Sequence, residues 1–269
     1  MFGKELLENH SIISKINHFY NDTSKRKITR LKDKVCIMGC SDSKTLAPIK
    51  DDYFEFWGVN NLFLSMPEVK WTRWFEIHDI TFDGMDFHRR GKRVFRGQSV
   101  NKYIEKINEL TCPIYMQKKW PSIKNSTIYP EAEIEEIFGR YFTNTISWQI
   151  ALAFYMGFKE VHIYGVDMAV STEYFHQRPS CEYFIGLGRG MGIKMVIPDE
   201  ADLLKTRHLY AFEEQKENAF AKKIKHTLAS MQARRQQSTM QRDHLTRQVE
   251  QYIGGELSLS EMLKIWETC

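Results

Sequence analysis

At 269 residues, 42% hydrophobic and 13% aromatic, the chain has the composition of a folded globule with room for one sizeable domain and an appendage, which excludes a disordered chain. Its formal charge of +4 is too small to argue for nucleic acid by itself, although charge is spread unevenly toward the C-terminus. No apolar run approaches the roughly 18 residues of a membrane span, residues 1–27 lack the apolar stretch of a signal peptide, and five scattered cysteines make no disulfide framework, so the expectation is a reducing, cytoplasmic compartment.

In chain order, a peripheral helix over Glu5–Phe19 and a basic linker over Lys25–Lys34 come first. The apolar run Lys34–Gly39 reads as a buried parallel strand closed by glycine, with a short helix or turn at Thr45–Pro48. Further strands are predicted at Tyr53–Val59 and Trp71–Ile77, with Thr81–Gly97 a long loop. Ser99–Leu110 has helical spacing, Pro113–Met116 is a fourth strand, Lys118–Tyr129 is irregular and Glu131–Phe138 is a short helix. Asn144 caps the clearest helix, whose apolar face runs through Ile146, Ile150, Ala153 and Phe154 and which stops at Gly157. A strand at Glu160–Tyr164 follows, then a polar loop to Arg178, a helix started by Pro179 and running to Gly192, and a last strand at Lys194–Ile197. Strands alternating with helices predict an α/β fold. It is a Rossmann-like, mostly parallel sheet with helices on both faces, followed by a helical C-terminal tail. The expected divisions are residues 1–33, a nucleotide-binding domain at 34–210 and a tail at 211–269.

Sheets of this kind bind ligands outside the carboxyl ends of their strands, at the point where strand order reverses. Five strand ends carry polar residues there. Gly39, Ser41, Asp42 and Ser43 form a turn that suits a phosphate, or equally a plain turn with a helix cap; it matches neither the dinucleotide fingerprint nor a Walker loop. Asn60 and Asn61 suit a base or ribose, or a left-handed turn. His78 is a candidate general base or a structural histidine, and Asp79 stands beside it. Asn144 and Ser147 open a helix whose N-terminus is a ready anion site, or are ordinary caps. Asp167 suits a ribose hydroxyl, a metal or an acceptor proton, and His176 and Arg178 lie in the loop beyond it, where Arg178 can clamp a phosphate or make structural ion pairs. No cluster of His, Cys or carboxylates has zinc-ligand spacing.

The runs Val35–Gly39, Phe56–Asn61, Arg73–Asp79 and Val161–Met168, with Gln177–Tyr183 and Gly192–Lys194, resemble a family of uncharacterised bacteriophage and prophage proteins over roughly Lys34–Leu204. More distantly, Gly39–Ser43, Asn144–Ser147 and Gly165–Asp167 are similar to the nucleotide loop, polar helix start and Gly-(Ile/Val)-Asp strand end of bacterial sialyltransferases and pterin diphosphokinase-like proteins. This chain departs from their Gly-x-Gly-Pro-Ser loop, and His78 and His176 both stand as candidates for the family's catalytic histidine. The resemblance implies a nucleotide or nucleotide-sugar ligand and a transferase, with modified DNA or a host polysaccharide as acceptor. A non-catalytic assembly or nucleotide-sequestering protein is the alternative. The setting is the infected cell's cytoplasm or the virion.

From Glu213 the chain becomes a long polar helix. Between Ala219 and Val249 seven Lys/Arg face one acidic residue, Asp243, a composition that suits nucleic acid, an acidic partner or a solvated helix that mediates homo-oligomerisation. Ile224, Leu228, Met231 and Leu245 make a broken apolar stripe. Gly254-Gly255 is expected to break the helix, leaving a last amphipathic helix over Leu257–Trp266.

Overall fold

The computed structural model describes residues 28–77, 100–168, 174–206, 210–211 and 219–268, with 14–16 and 19. Inter-residue contacts divide the chain into two units, Met1–Thr206 and Arg207–Cys269.

The first unit is built on one sheet of β1 (Lys34–Met38), β2 (Phe54–Val59), β3 (Trp71–Phe75), β4 (Ile114–Met116), β5 (Ser126–Ile128), β6 (Glu160–Tyr164) and β7 (Lys194–Val196). Its order is β5-β4-β3-β2-β1-β6-β7, and every neighbouring pair is parallel. The chain lays strands outward from β1 to β5 and then crosses back to place β6 on the other side of β1. The order therefore reverses between β1 and β6.

Parallel strands buried on both faces send alternate side chains to opposite sides. From β1, Val35 and Ile37 enter one core while Cys36 and Met38 enter the other. Trp57 and Phe75 join the first core under α3 (Glu131–Phe138), α4 (Thr145–Met156) and α5 (Tyr174–Gly190). Phe56 and Trp74 join the second under α1 (Leu62–Ser65) and α2 (Val100–Ile107). Helices thus cover both faces of an α/β, Rossmann-like sheet, as the sequence predicts.

Helix α4 begins and ends where local chemistry dictates. The Asn144 side chain accepts from Ser147 N at 2.9 Å, and Gly157 at φ 81 turns the chain left-handed at the other end.

Three expectations need correction. Segment Lys118–Tyr129 is not wholly irregular, since it contains β5, a three-residue edge strand too short and too polar to leave a hydrophobic run. Pro179 does not start its helix: α5 begins at Tyr174 and carries Pro179 inside. The missing N–H of Pro179 removes one intrahelical bond, and two residues before it the Gln177 carbonyl accepts from Asn144 Nδ2 at 2.8 Å and Thr143 Oγ1 at 3.2 Å. Gly254-Gly255 does not break the tail. In the second unit one helix, α6 (Ala219–Thr268), runs through both glycines. Neither adopts the positive φ that ends α4, so they cost helix propensity, about 1 kcal/mol each relative to alanine, without turning the chain. Of the predicted helix Glu5–Phe19 only 14–16 and 19 are described, and these are helical; the predicted loop Thr81–Gly97 lies outside the described residues. No helix among the described residues is long and apolar enough to cross a membrane.

Candidate functional site

Parallel strands put all their carboxyl ends on one edge, so the residues singled out after β1, β2 and β6 lie along the same rim. At the reversal the two strand ends are joined by their own backbones. Gly39 N donates to Tyr164 O at 2.8 Å and Ser41 N to Gly165 O at 2.8 Å. A Cβ on Gly39 would lie 2.4 Å from Gly165 O, and one on Gly165 would lie 2.3 Å from Gly39 O, so only glycine fits at either position. The short 3-10 turn over Asp42–Leu46 then folds Ser43 inward. Its hydroxyl accepts from Gly165 N at 2.9 Å and donates to Asp167 Oδ1, and both residues are buried. Ser43 and Asp167 are thereby brought together across 124 positions of sequence as a polar seal under the rim. Cys40 and Asp42 stay exposed and Ser41 half-exposed, so these three face outward just after β1, ahead of the exposed Thr45 and Leu46.

Next along the rim, Asn60 takes φ 57, the left-handed conformation that asparagine tolerates, and its carbonyl accepts from Tyr103 OH at 3.2 Å. Asn61 precedes α1 and is exposed, with no side-chain cap bond. Tyr103 OH also donates to Glu76, which is fully buried at the end of β3. His78 and Asp79, two residues further, lie outside the described residues. Below the rim, Gln149 is fully buried on α4; its Nε2 reaches Gly58 O at 3.5 Å, and its Oε1 accepts no hydrogen bond.

The polar residues at the start of α4 turn toward α5. Asn144 Nδ2 donates to Ser180 Oγ at 3.0 Å besides Gln177 O, and its Oδ1 accepts from Cys181 Sγ at 3.2 Å besides Ser147 N. Ser147 is buried and its hydroxyl donates back to Asn144 O at 2.8 Å. Burial pushes the Cys181 thiol up to about 12, so it stays protonated near neutral pH. Arg178 bonds Glu182 Oε1 at 2.8 Å, Asp202 Oδ2, and Lys205 O at 3.1 Å, tying α5 to the segment after β7. Asn144, Ser147 and Arg178 thus all make bonds within the protein. His176, on the first turn of α5, is exposed.

Sequence reasoning missed a second polar cluster, near the opposite edge. Glu55 and Arg73, 0% and 5% exposed, pair at 3.2 Å between β2 and β3. Glu55 accepts from Trp57 Nε1 at 3.0 Å and from the backbone N–H groups of Leu31 and Lys32, while Arg73 donates to Thr29 O at 2.7 Å. The signal was a charge at an interior position of two otherwise apolar strands. An open cavity of about 470 Å³ beside Arg30, Lys32, Asp52 and Tyr53 also lies on this amino side, away from the rim. Among the described residues no three His, Cys, Asp or Glu side chains gather to hold a metal ion.

No family model matches this chain, and no curated protein matches it. Among solved structures, the sialyltransferase CstII from Campylobacter jejuni in complex with cytidine-5'-monophosphate is 14% identical over 69% of this chain and 86% of that one, with a TM-score of 0.39. The same sialyltransferase with CMP-3FNeuAc is 13% identical, covering 61% and 79% at a TM-score of 0.38. The sialyltransferase CST-II in complex with a trisaccharide acceptor and CMP is 12% identical, covering 61% and 80% at a TM-score of 0.39. The chain is thus similar, at low identity and over part of its length, to sialyltransferase structures.

Proposed function

We propose that the first unit is a nucleotide-dependent transferase of phage origin with a nucleotide-sugar as donor, its acceptor modified DNA or a host polysaccharide, working in the host cytoplasm. The observation that carries this reading is the reversal of strand order between β1 and β6, the place where such sheets take ligands. Its rim offers Ser41 and Asp42 after β1 and Asn60 and Asn61 after β2 to a ribose, base or phosphate, with Gly39 and Gly165 keeping the crevice floor low. Ser43, Asn144, Ser147 and Arg178 act in this scheme by shaping the rim. In the reaction the acceptor oxygen attacks the donor carbon as the bond from that carbon to the phosphate breaks. The acceptor proton passes to His78 or His176, with Asp79 or Asp167 orienting the reacting groups, and the nucleotide leaves with the electron pair.

A second reading, a non-catalytic nucleotide-sequestering or assembly protein, is favoured by one specific observation. Asp167 and Arg178, two groups that chemistry would call on, are both engaged within the protein. A thermal-shift screen of the whole chain against nucleotides and nucleotide-sugars, with and without divalent metal, tests both. A ligand at 100 times its dissociation constant stabilises by roughly 2.7 kcal/mol. The transferase reading expects a selective shift abolished in Asn61→Ala and Asp42→Ala, and turnover lost in His78→Ala or His176→Ala with binding kept. Binding with no turnover under any acceptor supports nucleotide sequestration, and no shift with any nucleotide overturns the transferase and sequestering readings and leaves the assembly protein.

A further inference from the structure

We propose that α6 pairs with a second copy of itself as an antiparallel coiled coil. The continuity of the helix through Gly254 and Gly255 is what exposes the pattern. Ile224, Leu228 and Met231 are spaced by four and then three residues. Leu245, Val249 and Tyr252 repeat that spacing 21 residues on, and Leu259, Leu263 and Trp266 repeat it after 14 more. Both offsets are multiples of seven, so the three triplets share one heptad frame, with Arg235, Ser238, Arg242 and Glu256 at its remaining a and d positions. All nine apolar side chains are between 46% and 84% exposed. A straight helix drifts about 20° per heptad against such a repeat, so this seam stays on one face only if the helix supercoils about a partner. A lone helix of 50 residues has no use for it.

Charge selects the partner and its direction. Residues Lys222–Val249 hold seven Lys/Arg against Asp243, whereas Glu250–Glu267 hold four Glu against Lys264. Two copies side by side in parallel would stack Arg235, Arg242 and Glu256 each on its own like. Laid antiparallel, the basic half of one copy meets the acidic half of the other. In the register that sets Leu245 against the partner's Val249, Leu228 meets the partner's Trp266 and Met231 meets the partner's Leu263. Arg242 then faces the partner's Tyr252, a cation–π arrangement. The partner's Glu256 faces Ser238, one turn from Arg235 on one side and Arg242 on the other. Counting flanking positions, this seam takes in roughly 26 residues a side, within the about 20–30 of a stable interface.

Light scattering on the size-exclusion peak of the full chain at moderate salt is expected to give twice the 31.8 kDa chain mass. Arg235→Glu/Arg242→Glu is expected to leave a monomer, and adding Glu256→Arg to that variant restores the dimer, which a merely unfolded helix would not do. Spin labels on Ser230→Cys, in a Cys40→Ser/Cys269→Ser background, are expected about 50 Å apart, from 34 residues at 1.5 Å each. A monomeric wild-type chain overturns the proposal, including one that instead retains DNA in low salt. So does a label separation under roughly 20 Å, as parallel helices give, or failure of the triple variant to re-form the dimer.

Discussion

Gly165→Ala perturbs the floor of the rim at its tightest point. The new methyl group would sit 2.3 Å from the Gly39 carbonyl oxygen, a backbone atom with no rotamer to yield. Relief means moving the two strand ends apart by roughly 1 Å, which takes bonds of 2.8 Å beyond hydrogen-bond range. The bonds at stake are Gly39 N to Tyr164 O, Ser41 N to Gly165 O and Gly165 N to Ser43 Oγ. At about 1 kcal/mol each they sum to about 2–3 kcal/mol. Gly165 also has φ 67, where alanine costs a further 1–2 kcal/mol or so. The expected loss is therefore about 3–5 kcal/mol for Gly165→Ala. Gly39→Ala, whose φ is not in the left-handed region, is expected to lose about 2–3 kcal/mol. Urea unfolding followed by near-ultraviolet circular dichroism reads the tertiary core without interference from the long helix. A loss below 1 kcal/mol at Gly165, or equal losses at the two glycines, would refute this account of the crossing.

Glu55→Gln leaves the buried Arg73 guanidinium without its counter-charge and is expected to cost about 3–5 kcal/mol, whereas replacing both partners by Met is expected to cost less, as measured by urea midpoints. Arg178→Ala removes bonds to Glu182, Asp202 and Lys205 and is expected to lower stability by about 2 kcal/mol, equally with and without nucleotide. Unchanged stability with lost nucleotide affinity would instead assign Arg178 to the ligand. Burial holds His162 below its ordinary 6.5, outweighing its 2.7 Å bond to Glu160. The unfolded chain then binds the proton first, so stability is full above about pH 7 and falls as pH drops below 6.5. His162→Phe is expected to flatten that slope. Glu160, held below 4.5 by His162 and Lys194 against its own burial, loses its contribution only at lower pH.

Elements were legible where their signal is local. The β1 and β6 runs, the Asn144 cap and the Gly157 stop depend on neighbours within a few residues, and the structure keeps all of them. Strand β5 and the start of α5 were not, because one is held by an edge pairing to β4 and the other is a helix that tolerates an internal proline. The same division runs through the site. Gly39 and Gly165 could be recognised as glycines at strand ends, but their mutual contact spans 126 positions and follows from strand order alone. Ser43 and Asp167 stand out as two separate candidates in the sequence, because nothing in their spacing reveals that they bond each other. Glu55 sits inside a strand that reads as apolar, and its role emerges only with its partner Arg73, 18 positions on.

The way Glu55 is satisfied bears on where this protein can be cut. Its carboxylate is held partly by main-chain N–H groups of Leu31 and Lys32, and Arg73 leans on the Thr29 carbonyl. Those groups belong to the stretch before the first strand, which a boundary drawn at the onset of regular structure would discard. A shortened chain starting at Lys34 would keep every strand and still leave two ionised side chains sealed in the interior with half their partners gone. A workable truncation for expression or crystallisation starts upstream of Thr29.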